Sequence, residues 1–340
     1  CSWGSPNSWS QQGQDVINYA IGKGCLVVSA AGNSNAKDLF YPASFEFVLS
    51  VGGTDSFNQK WTEASQGSNY NDYVDVVAPA VNLYRITDGG GALRSGGSGT
   101  SLSAPIVAGI AGLVKSQFPS YNPYQILEQL KSTAIDIDTI AFNAPYQGTL
   151  GKGLVDAHKA VTDSTNPGFI FTNAIFTDST DDIYRAGDTV YLYGDFYNML
   201  AASSSATAMS LSAGSPYIEL LDSAFTFGSF PGEGAGWKSE GAPFKFKVKD
   251  DIPFNKTIDF KVTITDGDYF TWQMIKADFN PHYINITNNN IDFTVGGNAD
   301  FGFIGNSLGG KGLGVKYKGG SNILYQMGVL ASLNGTQSSF

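Results

Sequence analysis

Ser101 stands in the run Gly99-Thr100-Ser101-Leu102-Ser103-Ala104-Pro105, where a Gly-rich stretch (88–99) meets an apolar segment (101–118). A serine placed there has several things that acyl transfer asks of a nucleophile. It begins a helix, so the positive end of the dipole and unpaired backbone N–H groups lie beside its hydroxyl. Gly99 lets the chain approach closely just before it. Pro105 has no N–H for the carbonyl of residue 101, which predicts a free acceptor near the hydroxyl and a bend in the helix. The chemistry also needs a base for the hydroxyl proton and donors for the oxyanion that develops. Taken alone, the run reads more simply as a Thr or Ser helix cap.

Other candidate groups are sparse. Of the two histidines, His158 lies on a helical run (155–161) and His282 follows Asn280-Pro281 in a β-rich region. Both read as ordinary exposed or hydrogen-bonded positions, so neither is assigned as a base. Cys1 and Cys25 do not make a disulfide framework, and Cys25, opening Cys25-Leu26-Val27-Val28, is expected to be a small buried hydrophobe. Asp181-Asp182 and Asp266-Gly267-Asp268 have the oxygen-rich turn chemistry of a structural calcium site, and the same residues also simply build turns. Asn255-Lys256-Thr257, Asn285-Ile286-Thr287 and Asn334-Gly335-Thr336 fit glycosylation acceptors, a pattern that also arises by chance. Acyl transfer at serine requires no cofactor.

The elements that must position Ser101 alternate between helix and strand over residues 1–163. Val16, Ile17, Ala20 and Ile21 give Gln14–Lys23 one apolar helical face. Short apolar runs at Cys25–Ala31, Phe47–Gly53 and Tyr73–Ala78 lack alternation, as expected of parallel strands covered on both faces. The segment Ser101–Phe118 is apolar and small almost all round and predicts a buried helix. Asn122-Pro123 with Gln125 is a capping-box start for a helix over Tyr124–Thr133, with Ile126, Leu127 and Leu130 inward. Such units favour an α/β doubly wound parallel sheet.

After the polar linker at 162–167 the period becomes two. Phe244, Phe246 and Val248 alternate with lysines, and Ile258, Phe260, Val262 and Ile264 lead through Asp266-Gly267 into a hairpin with Tyr269–Ile275. With Thr189–Tyr197 and Tyr217–Leu221 this predicts an all-β, immunoglobulin-like sandwich over 168–290, closed by the polar run Thr287–Asn290. Residues 291–340 are Gly-rich and read as the start of a further, truncated β segment.

Composition narrows the function classes. A net charge of −10, with only 15% charged residues and 41 glycines, argues against nucleic-acid and anionic-membrane partners and suits a secreted or cell-surface protein. No run reaches the ~18 apolar residues of a membrane span. The chain opens on Cys1 without a leader and is read as an internal piece of a longer protein.

Six further segments accompany the Ser101 run, in fixed order: Ser2-Trp3-Gly4, Ala30-Ala31-Gly32-Asn33, Tyr41-Pro42-Ala43, Val51-Gly52-Gly53-Thr54, Asp75-Val76-Val77-Ala78-Pro79 and Gly151-Lys152-Gly153-Leu154-Val155-Asp156-Ala157. As a set they resemble the C-terminal part of a subtilisin-like serine peptidase over about residues 1–162. The resemblance implies that Ser101 is the nucleophile and that the Asn33 side chain donates to the oxyanion together with the Ser101 N–H. It implies that Ser2, Trp3, Gly4, Ala30, Ala31 and Gly32 form the walls and edge strands of a cleft for protein or peptide substrates. Leu102 and Ser103 stand where Met and Ala are usual, which brings the run nearer to the related Ser-Glu-Asp carboxyl peptidases. Those carry Asp at the oxyanion position, so Asn33 favours the subtilisin side. In the family the triad Asp and His precede the segment equivalent to Ser2-Trp3-Gly4, each in its own Gly-rich signature. The expectation is therefore a catalytic-domain portion that is inactive when isolated. A second reading stays open: a non-catalytic scaffold whose β domains bind a surface, a glycan or a neighbouring protein, or act as spacers.

Overall fold

A computed structural model describes residues 1–86, 93–94, 96–204, 206–297, 300–302, 312–320, 323, 326–328, 332–333 and 337–338. Much of the Gly-rich stretch expected before Ser101, and Asn334-Gly335-Thr336, lie outside the described residues. The first part runs β1 (Ser5–Pro6), α1 (Gln11–Gly22), β2 (Val28–Ala30), β3 (Phe40–Tyr41), β4 (Leu49–Thr54), β5 (Val76–Pro79), β6 (Arg85–Ile86), β7 (Leu93–Arg94), α2 (Thr100–Gln117), α3 (Pro123–Ser132) and α4 (Ala157–Thr162). Ser10 Oγ accepts from the Gly13 N–H at 3.1 Å, so α1 begins three residues before the expected Gln14. The Asn122/Gln125 capping box of α3 forms as its sequence predicts.

Strands β2, β4 and β5 make a parallel sheet in that order, pairing Ala30 with Val51 and Val51 with Val76. Every residue of β4 is buried, which is why its sequence is continuously apolar or small. Val107, Ile110 and Val114 of α2 pack with Leu49, Val51 and Val76. Ile17, Ile21, Tyr41, Phe45 and Val48 form a separate small core.

Two expectations fail here. Cys25 is exposed, because it sits in the turn after α1, its N–H on Ala20 O at 3.0 Å, before the buried strand starts. Helix α2 is not buried all round: Leu113 is 55% exposed and Ala108 and Gly109 lie beside it at the surface. The sheet covers one side of this helix and leaves the other to solvent.

The second part comprises β8 (Phe169–Thr177), β9 (Thr189–Asn198), β10 (Thr207–Ala213), β11 (Ile218–Asp222), β12 (Ala224–Gly228), β13 (Ala235–Lys238), β14 (Phe244–Val248), β15 (Lys256–Asp266) and β16 (Tyr269–Phe279). One antiparallel sheet has the order β12–β10–β15–β16, and the other β11–β14–β9–β13 with β8 also on β9. Their inward residues, such as Phe196, Phe246 and Val190 from one and Leu211, Phe260 and Ile264 from the other, share a single core. The polar run 287–290 does not close this part. It ends β17 (Tyr283–Asn288) and turns, with Asn289 at φ +53°, into β18 (Ile291–Gly296). The expected boundary at 290/291 thus falls inside a hairpin of a further, separate sheet, in which β18 also pairs β19 (Asp300–Gly302) and β20 (Val315–Tyr317).

The first two parts are docked through charged groups. Lys131 Nζ of α3 lies 2.8 Å from Glu128 Oε1 and 3.8 Å from Asp75 Oδ1, with the lysine and glutamate side chains almost fully buried. Asp75 Oδ2 accepts from Ser50 N at 2.9 Å, while Thr271 and Tyr269 of β16 donate to Glu128 Oε2 at 3.3 and 3.4 Å. The Trp272 indole donates to Asp72 O at 2.7 Å, and Lys261 pairs with Asp72 at the same distance. Tyr73 donates to Asp259, and Lys276 donates to Tyr41.

Burial in this seam pushes the Glu46 carboxyl up to about 7 against the opposing charge of Lys276, and Asp75 up to about 6 against that of Lys131. Both carboxyls are therefore easier to bury neutral. Their contribution to stability is fully present below the unfolded pKa, near 4, and is lost as pH rises through about 6 to 7. The melting temperature should accordingly fall between pH 5 and pH 8, and Glu46→Gln should flatten that slope. A wild-type melting temperature that rises across this window contradicts the assignment.

Candidate active site

The parallel sheet delivers its functional residues from the carboxyl end of β2, the usual place for a site in this architecture. Beside that strand runs the first residue of the chain. Ala30 N donates to Cys1 O at 2.9 Å and the Cys1 amino group donates to Val28 O. This strand-like pairing carries Ser2-Trp3-Gly4 alongside Ala30-Ala31-Gly32.

Ser101 and Ser2 then bind each other twice. Ser101 Oγ donates to Ser2 O at 3.1 Å, and Ser2 Oγ donates to Ser101 O at 2.9 Å. The second bond uses the carbonyl that Pro105 leaves without its helical partner, as the sequence predicts. Ser101 is partly exposed on the first turn of α2, where backbone N–H groups lack intrahelical acceptors.

Asn33 is exposed and held by Thr100. Its Oδ1 accepts from Thr100 N at 3.0 Å and from Thr100 Oγ1 at 2.7 Å. With Oδ1 doubly occupied, Nδ2 is left as the donor, and among the described residues it has no hydrogen-bond partner. A Cβ on Gly99 would come 3.5 Å from that nitrogen, so the glycine leaves the approach open. The arrangement offers an exposed hydroxyl, an amide donor fixed by its other end, and a helix N-terminus. These are the parts of an acyl-transfer site apart from its base.

Thr100, Asn69 and Lys60 support the site without having been singled out from the sequence, whereas Gly32 was expected in the cleft wall. Asn69 is fully buried, accepts from Ser34 N at 2.8 Å and donates to Asp38 O at 3.3 Å, which fixes the loop after Asn33. Gly32 has φ +104°, and a Cβ there would meet Asn69 Nδ2 at 2.5 Å, so this position must be glycine. Lys60, 1% exposed, donates to Asn35 Oδ1 and to Thr62 Oγ1 at 3.2 Å, with its ammonium 4.9 and 4.5 Å from the Tyr70 and Tyr146 ring centres. Burial lowers its pKa to about 8. Sequence offers little signal for such partners, because each joins positions far apart in the chain.

The remaining expected residues divide. Ala30 and Ala31 are buried, Gly4 is exposed, and the Trp3 ring is 69% exposed. His158 is exposed on α4, and His282 packs on Phe254 with ring centres 4.5 Å apart. Neither imidazole bonds Ser101. Asp181 pairs with Arg185 at 2.9 Å, and Asp266 accepts from the Ser204 N–H and hydroxyl. No group of three or more His, Cys, Asp or Glu residues able to hold a metal ion occurs among the described residues. No helix among them is long and apolar enough to cross a membrane.

Comparison with known proteins places the first part of the chain in a family. The model of the subtilase family matches residues 1–187. Subtilisin BL of Lederbergia lenta is 36% identical over 159 residues, covering 47% of this chain and 54% of that protein. M-protease of Shouchella clausii is also 36% identical over 159 residues, covering 47% of this chain and 38% of that protein. The chain thus spans about half the length, or less, of these curated relatives. Among solved structures, one described as proteases from Pseudoalteromonas arctica PAMC 21717 matches with a TM-score of 0.41 and 30% identity, over 47% of this chain and 49% of that one. Since the family match takes in 187 of the 340 residues, the Ser101 site among them, this chain belongs to the subtilase family.

Proposed function

We propose that the chain supplies the nucleophile and the oxyanion donors of a secreted serine endopeptidase, with the general base contributed by a segment outside residues 1–340. In this reading Ser101 Oγ attacks the scissile carbonyl, and Asn33 Nδ2 and the Ser101 N–H receive the negative charge. Residues 2–4 and 30–32 bind the substrate backbone. The observation that carries the reading is the fixing of Asn33 Oδ1 by Thr100, the residue just before Ser101, which leaves the amide N–H₂ as the unengaged end of the side chain among the described residues. Ser101 has no imidazole partner among the described residues, its hydroxyl donating instead to Ser2 O, so no base there takes its proton. The uncovered face of α2, with Leu113, offers apolar area on the helix that carries Ser101. The two-sheet β part is read as an immunoglobulin-like sandwich that spaces or docks the catalytic part.

Fluorophosphonate labelling of the full-length protein from its source, mapped by mass spectrometry, tests this. Ser101 should carry the adduct there, and residues 1–340 alone should label far more slowly. Folded full-length protein with Ser101 unmodified would favour a non-catalytic scaffold instead.

A further inference from the structure

The two walls beside Ser101 do not enclose an empty slot. A Cβ built on Gly4 would lie 2.5 Å from Phe40 Cε1 and 2.9 Å from Cδ1, and a Cβ on Gly32 would lie 3.1 Å from Phe40 Cγ. The Phe40 ring is therefore in contact with both backbones at once. Those backbones flank the nucleophile: Ser2 is bonded to Ser101 in both directions, and Gly32 directly precedes Asn33. An acyl group on Ser101 with its oxygen at Asn33 Nδ2 would send its side chain between residues 2–4 and 30–32, where the ring already stands.

The backbone that carries the ring is also anchored. Phe40 pairs with Pro6 in the β1–β3 ladder, its N–H donates to Ser44 Oγ at 3.1 Å, and its carbonyl accepts from Ser44 N at 2.9 Å. Gly32 is at positive φ, and Asn69 as well as Phe40 crowds its side-chain face. The glycines at 4 and 32 thus accommodate the protein's own phenyl group rather than a substrate's.

We propose that Phe40 fills the primary specificity pocket, restricting the residue on the acyl side of the scissile bond to a small side chain, alanine or glycine. The inference rests on the peptidase reading given above. Steric exclusion is efficient here, since even one surplus methylene in a close-packed pocket costs about tenfold or more in kcat/KM.

The test uses the full-length protein and acyl-tetrapeptide p-nitroanilides differing only in the last residue: Ala, Leu or Phe. The Ala substrate should exceed the Phe substrate at least tenfold in kcat/KM. Phe40→Gly should raise the Phe substrate at least tenfold and bring the ratio below one. A wild-type enzyme that cleaves after Phe as well as after Ala overturns the proposal without help from any variant. So does a folded Phe40→Gly protein with an unchanged ratio. In either case fluorophosphonate labelling of Ser101 leaves the peptidase reading standing, whereas unlabelled Ser101 with no substrate cleaved sinks both.

Discussion

Asn33→Leu should lower kcat of the full-length protein by about a hundred- to a thousandfold while KM changes little, because in the proposed reaction the lost N–H meets charge that exists only in the transition state. Leucine keeps the volume and removes both polar ends. Thr100 then loses its acceptor, so the partner variant is Asn33→Asp, which restores the oxygen toward Thr100 without the amide donor. Steady-state kinetics on one peptide substrate separate the outcomes. If Asn33→Asp recovers most of the rate, the amide is a structural strut for the N-terminus of α2 and not an oxyanion donor. If both variants are slow with KM preserved, the donor role holds. Burst titration of Ser101 checks that the same fraction of sites is assembled in each.

The largest expected effect on stability lies in the seam. Lys131→Met should destabilise the folded chain by about 3–5 kcal/mol, since it leaves Glu128 and Asp75 as buried carboxylates without their cation. Burial by itself would lower the Lys131 pKa, but the charges of Glu128 and Asp75 more than offset it, so the net shift is upward and the ammonium stays charged. The unfolding midpoint in urea reads the loss. A double variant, Lys131→Met with Glu128→Gln, should regain part of it, because the second change removes one of the unpaired charges. A single variant within about 0.5 kcal/mol of wild type would show that water enters the seam and solvates these groups.

The parts of this architecture that could be read in the sequence are those set by neighbours along the chain. The Asn122/Gln125 capping box, the carbonyl freed by Pro105 and the strict alternation of β14 and β15 each follow from residues within a turn or a strand. What was hidden depends on contacts across the fold. Cys25 looks like the first residue of an apolar strand, yet the pairing of β2 begins only at Val28. The strand β8 escaped notice because a register shift between Thr172 and Ile175, with Asn173 at φ +53°, breaks its alternation. Glu128 and Lys131 have the types of an outward helix face, and become interior only because β16 lies over α3. In the site itself, Ser101, Asn33 and the two wall segments were legible as motifs. Thr100, Asn69 and Phe40 were not, since their importance lies in what they touch from a distance in sequence.

The seam has an evolutionary corollary. Asp75 and Glu128 belong to one part and Trp272 to the other, and all three surround the single ammonium of Lys131, while Thr271 of the second part donates to Glu128. A substitution on either side changes the solvation of charges on the other. The two parts are therefore held to drift together, and a recombination that swapped one for a foreign equivalent would join two surfaces with unmatched buried charge. Descent in this lineage should treat them as one heritable unit, with the linker at 162–167 as a connection within it and not a site of exchange.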